Sequence, residues 1–414
     1  MSTNELIACH ECDLLQRAPQ GAGAVRCGRC GAVLYRSSPG SSERTLAYTL
    51  TAVSLFILAN AFPLIRLEIN GNVITTTLIG AVRTLLRESV PEIAALMFLT
   101  TILIPAAQLA AMLYLLVPLR WGRMLPGVPQ VLTFLGHVRP WAMVEVFMLG
   151  VLVSVVKLHS LARVVPGIAL WSICGLVIAM PAMAASFDPR ELWRRVMTPA
   201  SASAMNGAAV TAADAGWLVC HTCGLISRAG RVDAHAHCPR CGNPLHLRKH
   251  GSVARTWALM IAAAIMYIPA NVLPIMNTNS LFGSERDTIL SGVVYLWTSG
   301  DWPLAVLVFF ASITVPLMKL IALTLLLVSV QRHSTWQPRQ RAKLYRLVEF
   351  VGRWSMLDIY VVTLMAALVQ LQSLATITAG PGAVAFGAVV VLTMLAAMSF
   401  DPRLIWDPMR AKNG

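Results

Sequence analysis

Eight of the nine cysteines fall into two sets with one spacing, Cys9, Cys12, Cys27, Cys30 and then Cys220, Cys223, Cys238, Cys241. Each set reads C-x2-C, fourteen residues, C-x2-C, as CHEC…CGRC and CHTC…CPRC. A C-x2-C pair presents both sulfurs from one turn, so two pairs can close a tetrahedron of thiolates around one ion. Gly31, Gly224 and Gly242 follow the second cysteine of a pair, where the chain must turn sharply beneath the metal. Free or redox thiols are the plain alternative, which a second copy at identical spacing disfavours. Two zinc ions are expected; iron in a rubredoxin-like site takes the same ligands. With no open coordination position these sites are structural, and metal supplies folding free energy that modules this small cannot obtain from a core. His10, His221, His235 and His237 read as bystanders, and Cys174 as a small apolar residue.

A second group of polar residues lies inside apolar runs. Lys319 is deep in one run, and its counterpart in the first half is Gln108. Glu145 and Asp358 share one place in W-x-M-[VL]-[ED], while Lys157 and Gln370 mark the far end of the same runs. Charges within a membrane are costly and rarely face lipid, so a Lys319–Asp358 pair and a coupling role for Glu145 are expected, against a plain role as glue between helices. Asn60 and Asn271 precede Pro63 and Pro274 in ANAFPLI and ANVLPIM. Proline inside a helix frees backbone groups that cannot face lipid. The two motifs are therefore expected either to be satisfied kinks, with the Asn amide as partner, or to edge a polar cavity.

The elements that position these residues are long apolar stretches. The chain has 414 residues, 57% hydrophobic and 13% charged, about half the charge of a soluble domain. It is expected to be an all-α polytopic membrane protein. Its polar opening with a Cys pair does not resemble a signal peptide, so the first apolar run is expected to stay as an anchor. The net charge of +14 is explained by Arg and Lys at the ends of spans, which argues against nucleic acid. No P-loop, H-E-x-x-H or G-x-S-x-G occurs, and no enzyme is expected.

The sequence is duplicated. Both cysteine sets, Asn60 and Asn271, Pro63 and Pro274, and Pro105 and Pro316 are displaced by 211. Trp141 and Trp354, and SFDPR at 186 and 399, are displaced by 213. Spans are expected over 46–66, 91–117, 140–158 and 164–186, then 254–275, 303–330, 354–371 and 383–399. Two parallel repeats follow: zinc ribbon 1–40 with four spans in 41–198, a linker 199–216, and ribbon 217–248 with four spans in 249–414. Arg120, Arg123, Arg139, Arg194, Arg332 and Arg346 crowd one set of flanks, whereas the other holds only Arg66, Arg83, Arg87, Arg163 and Arg286. Ribbons and both termini are therefore expected in the cytoplasm. A hairpin is expected at Asn70-Gly71, followed by an amphipathic helix. Asp188-Pro189-Arg190-Glu191 reads as the start of an interfacial helix whose Arg residues suit anionic headgroups.

Two four-cysteine ribbons, each followed by four spans opening on A-N-x-[FL]-P and closing on S-F-D-P-R, resemble the paraquat-inducible protein A family over essentially the whole chain. The resemblance implies a protein of the Gram-negative inner membrane. It would pass a phospholipid or other membrane lipid to a periplasmic mammalian-cell-entry (MCE) domain protein that forms a tunnel towards the outer membrane. It also implies zinc at all eight ribbon cysteines. The rival readings are a stress- or metal-responsive scaffold and a small-molecule efflux protein.

Overall fold

The computed structural model describes residues 6–17, 23–37, 40–69, 72–87, 91–159, 163–196, 211–228, 237–280, 283–300, 302–368, 370–371 and 375–410. The N-terminal ribbon is two small antiparallel hairpins, β1 (Leu6–Ala8) with β2 (Leu15–Arg17) and β3 (Gly23–Arg26) with β4 (Val33–Ser37). The first membrane repeat follows, with α1 (Ser41–Ala61), β5 (Ile65–Ile69), β6 (Asn72–Thr76), α2 (Leu78–Arg87) and α3 (Pro91–Phe98). It continues through α4 (Ile104–Arg120), α5 (Val128–Val138), α6 (Val144–His159), β7 (Arg163–Pro166), α7 (Ile168–Ser186) and α8 (Pro189–Val196). The second ribbon retains β8 (Trp217–Val219) and β9 (Ile226–Arg228). The second repeat runs α9 (Ser252–Val272), β10 (Met276–Ser280), β11 (Gly283–Asp287), α10 (Ile289–Thr298), α11 (Trp302–Phe309) and α12 (Val315–Gln331). It ends with α13 (Pro338–Gly352), α14 (Leu357–Leu368), β12 (Gln370–Leu371), β13 (Ala375–Ala379), α15 (Pro381–Ser399) and the short α16 (Asp407–Arg410).

Among the described residues seven helical stretches are long and apolar enough to cross a membrane, and the protein is a multi-pass membrane protein. The eighth span expected over 354–371 is not among them. There the helix α14 covers twelve residues, roughly 18 Å at 1.5 Å per residue, short of a ~30 Å hydrocarbon core. Its ends are taken by other structure: a 3-10 turn at Arg353–Met356 before it, and β12 pairing with β13 after it. Two ribbon-side helices, α5 and α13, were not expected from the sequence; they lead into α6 and α14.

Pro63 and Pro274 do not kink a helix. α1 ends at Ala61 and α9 at Val272, so both prolines lie just beyond the last turn. The Asn60 amide donates to the Phe56 carbonyl at 2.9 Å and the Asn271 amide to the Tyr267 carbonyl at 2.8 Å, so each side chain bonds back one turn along its own helix. The freed proline carbonyls then serve the fourth span. Pro63 O accepts from Ala169 N–H at 3.3 Å in the first turn of α7, and Pro274 O accepts from Gly382 N–H at 3.0 Å in α15. Gly167 and Gly380 bond to Leu64 O and Ile275 O at 3.0 and 2.9 Å, and a Cβ at either glycine would overlap the proline carbonyl oxygen. The Asn-Pro motif thus locks the exit of span one onto the entry of span four.

From that turn the chain enters β5 and β6, the expected hairpin, whose Asn70-Gly71 tip lies outside the described residues. Strands that follow α6 and α14 complete the sheets, in the order β6-β5-β7 and β11-β10-β13-β12. The long second spans each contain a π-helical turn, Leu99–Leu103 and Phe310–Thr314. Pro105 and Pro316 follow within two residues, and the missing proline N–H leaves the wider turn as the way to keep the helix continuous. The two repeats meet where Phe147 stacks edge-on against Tyr360 at 5.4 Å and the Tyr360 hydroxyl donates to Thr100 Oγ1 at 2.8 Å beside the first π turn.

Candidate metal centres and polar membrane sites

Each ribbon brings its four cysteines together at the tips of its two turns. The sulfurs of Cys9 and Cys30 lie 3.5 Å apart and those of Cys12 and Cys27 3.4 Å; in the second ribbon Cys220 and Cys241 are 3.4 Å apart and Cys223 and Cys238 3.5 Å. Within each set all four ligand atoms fall within 4.8 Å of one another. A tetrahedron with metal–sulfur bonds of 2.3 Å has edges of about 3.8 Å, so the donor sets fit a four-coordinate thiophilic ion such as zinc. No histidine belongs to either set; His235 lies outside the described residues.

Backbone geometry makes the cradle. Gly31, Gly224 and Gly242 have φ of 74°, 70° and 74°, the left-handed region in which their N–H turns back to the carbonyl of the pair's first cysteine. The fourth equivalent position is Asp13, at φ 63°. Asp is among the few residues that tolerate this region, and here its carboxylate has work that glycine cannot do. Asp13 sits 3.7 Å from Arg403 Nη1 and 3.2 Å from Arg248 Nη1, and accepts from the Ala213 N–H at 3.3 Å. Arg403, from the second SFDPR motif and only 2% exposed, also reaches the His10 carbonyl at 3.4 Å and His221 Nδ1 at 3.3 Å. Its guanidinium joins the two ribbons. Burial, with Arg403 beside it, pushes His221 down to about 4, so the imidazole is neutral and can accept from Arg403.

The ribbons dock crosswise. The first packs on the second repeat: Cys9, Cys12, Cys27 and Cys30 share a core with Leu323, Leu327, Tyr345, Phe400 and Trp406. Arg346 donates to the Cys30 carbonyl at 2.7 Å and pairs with Glu11 at 3.3 Å. Cys223 and Cys241 of the second ribbon pack against the core that holds Leu192 and Trp193 of α8. The interfacial helix expected after Asp188 is therefore α8, with its Asp188 Oδ1 accepting from Arg190 N–H at 3.0 Å, and its apolar side faces protein. These docking contacts had no signal in the sequence, because none follows from periodicity.

The polar membrane residues separate into distinct surroundings. Lys319 is buried in α12 and its Nζ donates to the Gly352 carbonyl at 3.2 Å and to Thr393 Oγ1 at 3.3 Å. Thr393 was missed by the sequence reading, where a lone threonine in an apolar run carries no signal. The Asp358 side chain, like that of Lys157, lies outside the described residues. Gln108 is buried, whereas Glu145 is exposed in the first turn of α6. Asn60 lines a small void of about 10 Å³ with Phe56, Leu78, Thr101, Phe147 and Ile173. Two sizeable cavities lie on the ribbon side. One of about 510 Å³ is lined by Gln108 and Glu145, and another of about 430 Å³ by Lys319 and Thr393.

A family model described as paraquat-inducible protein A matches residues 42–197 and again 253–410. Intermembrane transport protein PqiA of Escherichia coli (strain K12) is 33% identical over 407 residues, 97% of this chain and 95% of the relative. Lipophilic envelope-spanning tunnel protein A of the same strain is 31% identical over 407 residues, 98% of this chain and 92% of the relative. A probable intermembrane transport protein of Haemophilus influenzae is 31% identical over 412 residues, 97% of this chain and 96% of the relative. No solved structure matches.

Proposed function

Since the chain belongs to the paraquat-inducible protein A family, we propose that it is the inner-membrane component of an intermembrane transport system. Its cargo is a phospholipid or another membrane lipid, and it passes that cargo to or from a periplasmic MCE-domain tunnel protein. The observation that carries this reading is full-length similarity to proteins named for intermembrane transport and for an envelope-spanning tunnel. Cavities large enough for a headgroup, set among spans that end at the ribbons, agree with it. The ribbons and both termini face the cytoplasm, in keeping with the crowding of Arg and Lys on that side. Each ribbon holds one zinc ion through its four cysteines and acts as a structural clamp without catalysis. The units are 1–40 with 41–198 and 217–248 with 249–414, joined by 199–216.

Energy coupling belongs to the charged residues of the spans, Lys319, Asp358 and Glu145, with Gln108 and Lys157 as further candidates; Asn60 and Asn271, with Pro63 and Pro274, hold the helices that frame the path. The decisive experiment reconstitutes the chain with its MCE partner and follows labelled phospholipid between donor and acceptor membranes. Flux that depends on this chain supports the reading, and flux unaffected by its omission rejects it. Lys319→Ala and Asp358→Asn should each lower flux at least tenfold; undiminished flux in both removes the coupling role.

A further inference from the structure

The two ribbon-side cavities correspond in the repeat, and their walls differ at the matching positions. Gln108 of α4 stands where Lys319 stands in α12, Arg139 where Gly352 stands, and Met180 of α7 where Thr393 stands in α15. In the second cavity the buried polar group is satisfied, since Lys319 donates to the Gly352 carbonyl and the Thr393 hydroxyl. The first lacks the hydroxyl, because Met180 stands in the place of Thr393. Gln108 is 3% exposed, lines the cavity, and its Oε1 has no hydrogen-bond partner among the described residues. A buried carbonyl oxygen in that state calls for a donor brought by a ligand.

The rest of the wall describes that ligand. Glu145 adds a negative charge beside Gln108, while Arg36 of β4, Arg139 and Arg190 add positive charge around the same space of about 510 Å³. Groups of both signs on one wall fit a zwitterion whose ammonium and phosphate are a few atoms apart. Met180, Pro181 and Ala184, from the last turns of a helix long and apolar enough to cross a membrane, supply an apolar side. We propose that this first-repeat cavity binds the phosphoethanolamine headgroup of a membrane phospholipid, with the primary ammonium on Gln108 and Glu145 and the phosphate among the arginines. The amine must carry N–H donors to use Gln108 Oε1, which excludes a choline headgroup of otherwise equal charge. β4 of the first ribbon forms part of the wall.

This inference rests on the reading that the chain handles membrane lipid, and names the headgroup. The test uses the full-length chain in nanodiscs holding equal amounts of phosphatidylethanolamine, phosphatidylcholine and phosphatidylglycerol with identical acyl chains. Retained lipid is then counted by native mass spectrometry. At least fivefold enrichment of phosphatidylethanolamine over phosphatidylcholine is expected. Gln108→Leu and Glu145→Gln should each abolish that enrichment, Gln108→Lys should shift it towards phosphatidylglycerol, and Glu349→Gln in the second cavity should leave it intact. Should Gln108→Leu fail to fold, the exposed Glu145→Gln reads the same site. Equal retention of the two zwitterions, or enrichment that survives both variants, overturns the proposal. So does displacement by water-soluble glycerophosphoethanolamine with no lipid retained. Selective retention without flux to a partner would sink the transport reading and leave the site standing; flux without selectivity would do the reverse.

Discussion

The two ribbons share ligands and spacing, yet the first is buried more deeply in the body of the protein. In the first, all four cysteines are at most 4% exposed and share a core with α12, α13 and the C-terminal segment. In the second, Cys223 and Cys241 are only partly buried, and the ribbon keeps a small cluster of its own around Leu218, Leu225 and Leu245. The membrane repeats diverge in the same sense. The first-repeat helix α2 buries Ala81, Val82 and Leu85 in the main core against α14, whereas its counterpart α10 joins a separate cluster of Val293, Leu296 and Ala305 with α11. Duplication copied the local code twice, and packing then used each copy differently.

The largest expected effect tests the metal sites. Structural zinc contributes roughly 10–16 kcal/mol of folding free energy in small thiolate modules, so losing one ligand removes a site. Cys12→Ser should cut metal from two ions per chain to one and abolish accumulation in the membrane, because the failed ribbon is also core for the second repeat. Cys223→Ser should cut metal equally and leave a folded bundle. Elemental analysis and membrane yield separate these outcomes, and equal yields would show that the difference in burial is without consequence.

Next in size is the guanidinium that holds the ribbons together. Arg403→Met leaves Asp13 buried beside Arg248 alone and removes the link to His221, which should cost about 3–5 kcal/mol, measured as a lower denaturant midpoint in detergent. Arg190, its counterpart in the first SFDPR motif, stacks on Tyr35 at 4.0 Å, and Arg190→Met should cost about 1 kcal/mol or less. A smaller and symmetric effect is expected at Gly167 and Gly380. Alanine there must displace the proline turn, at about 1–3 kcal/mol in either repeat. Thermal unfolding checks it, and an asymmetric result would mean that one repeat no longer depends on the lock.

The smallest effect sharpens the helix comparison. Ala81 is fully buried, while a Cβ at the corresponding Gly292 meets nothing within 4 Å. Ala81→Gly should destabilise by about 1–2 kcal/mol from helix propensity plus a lost buried methyl. Gly292→Ala should stabilise by about 0.5–1 kcal/mol. Matching signs in the two melts would place α10 in a packed environment after all.

The residues themselves determined the ribbon ligands, the repeat, the membrane class and the hairpin beyond the first span, because each rests on local spacing: a C-x2-C turn, a displacement of 211, a run of apolar residues, strands around Asn-Gly. Periodicity could not say where α14 stops, since that is decided by strand pairing at Gln370–Leu371, or that Pro63 ends a helix and caps another through its carbonyl. Nor could it place the first ribbon on the second repeat, or bring Arg403 to Asp13 and His221. Those contacts join residues hundreds of positions apart, and only the folded chain, by burying charge where a partner was within reach, selected among them.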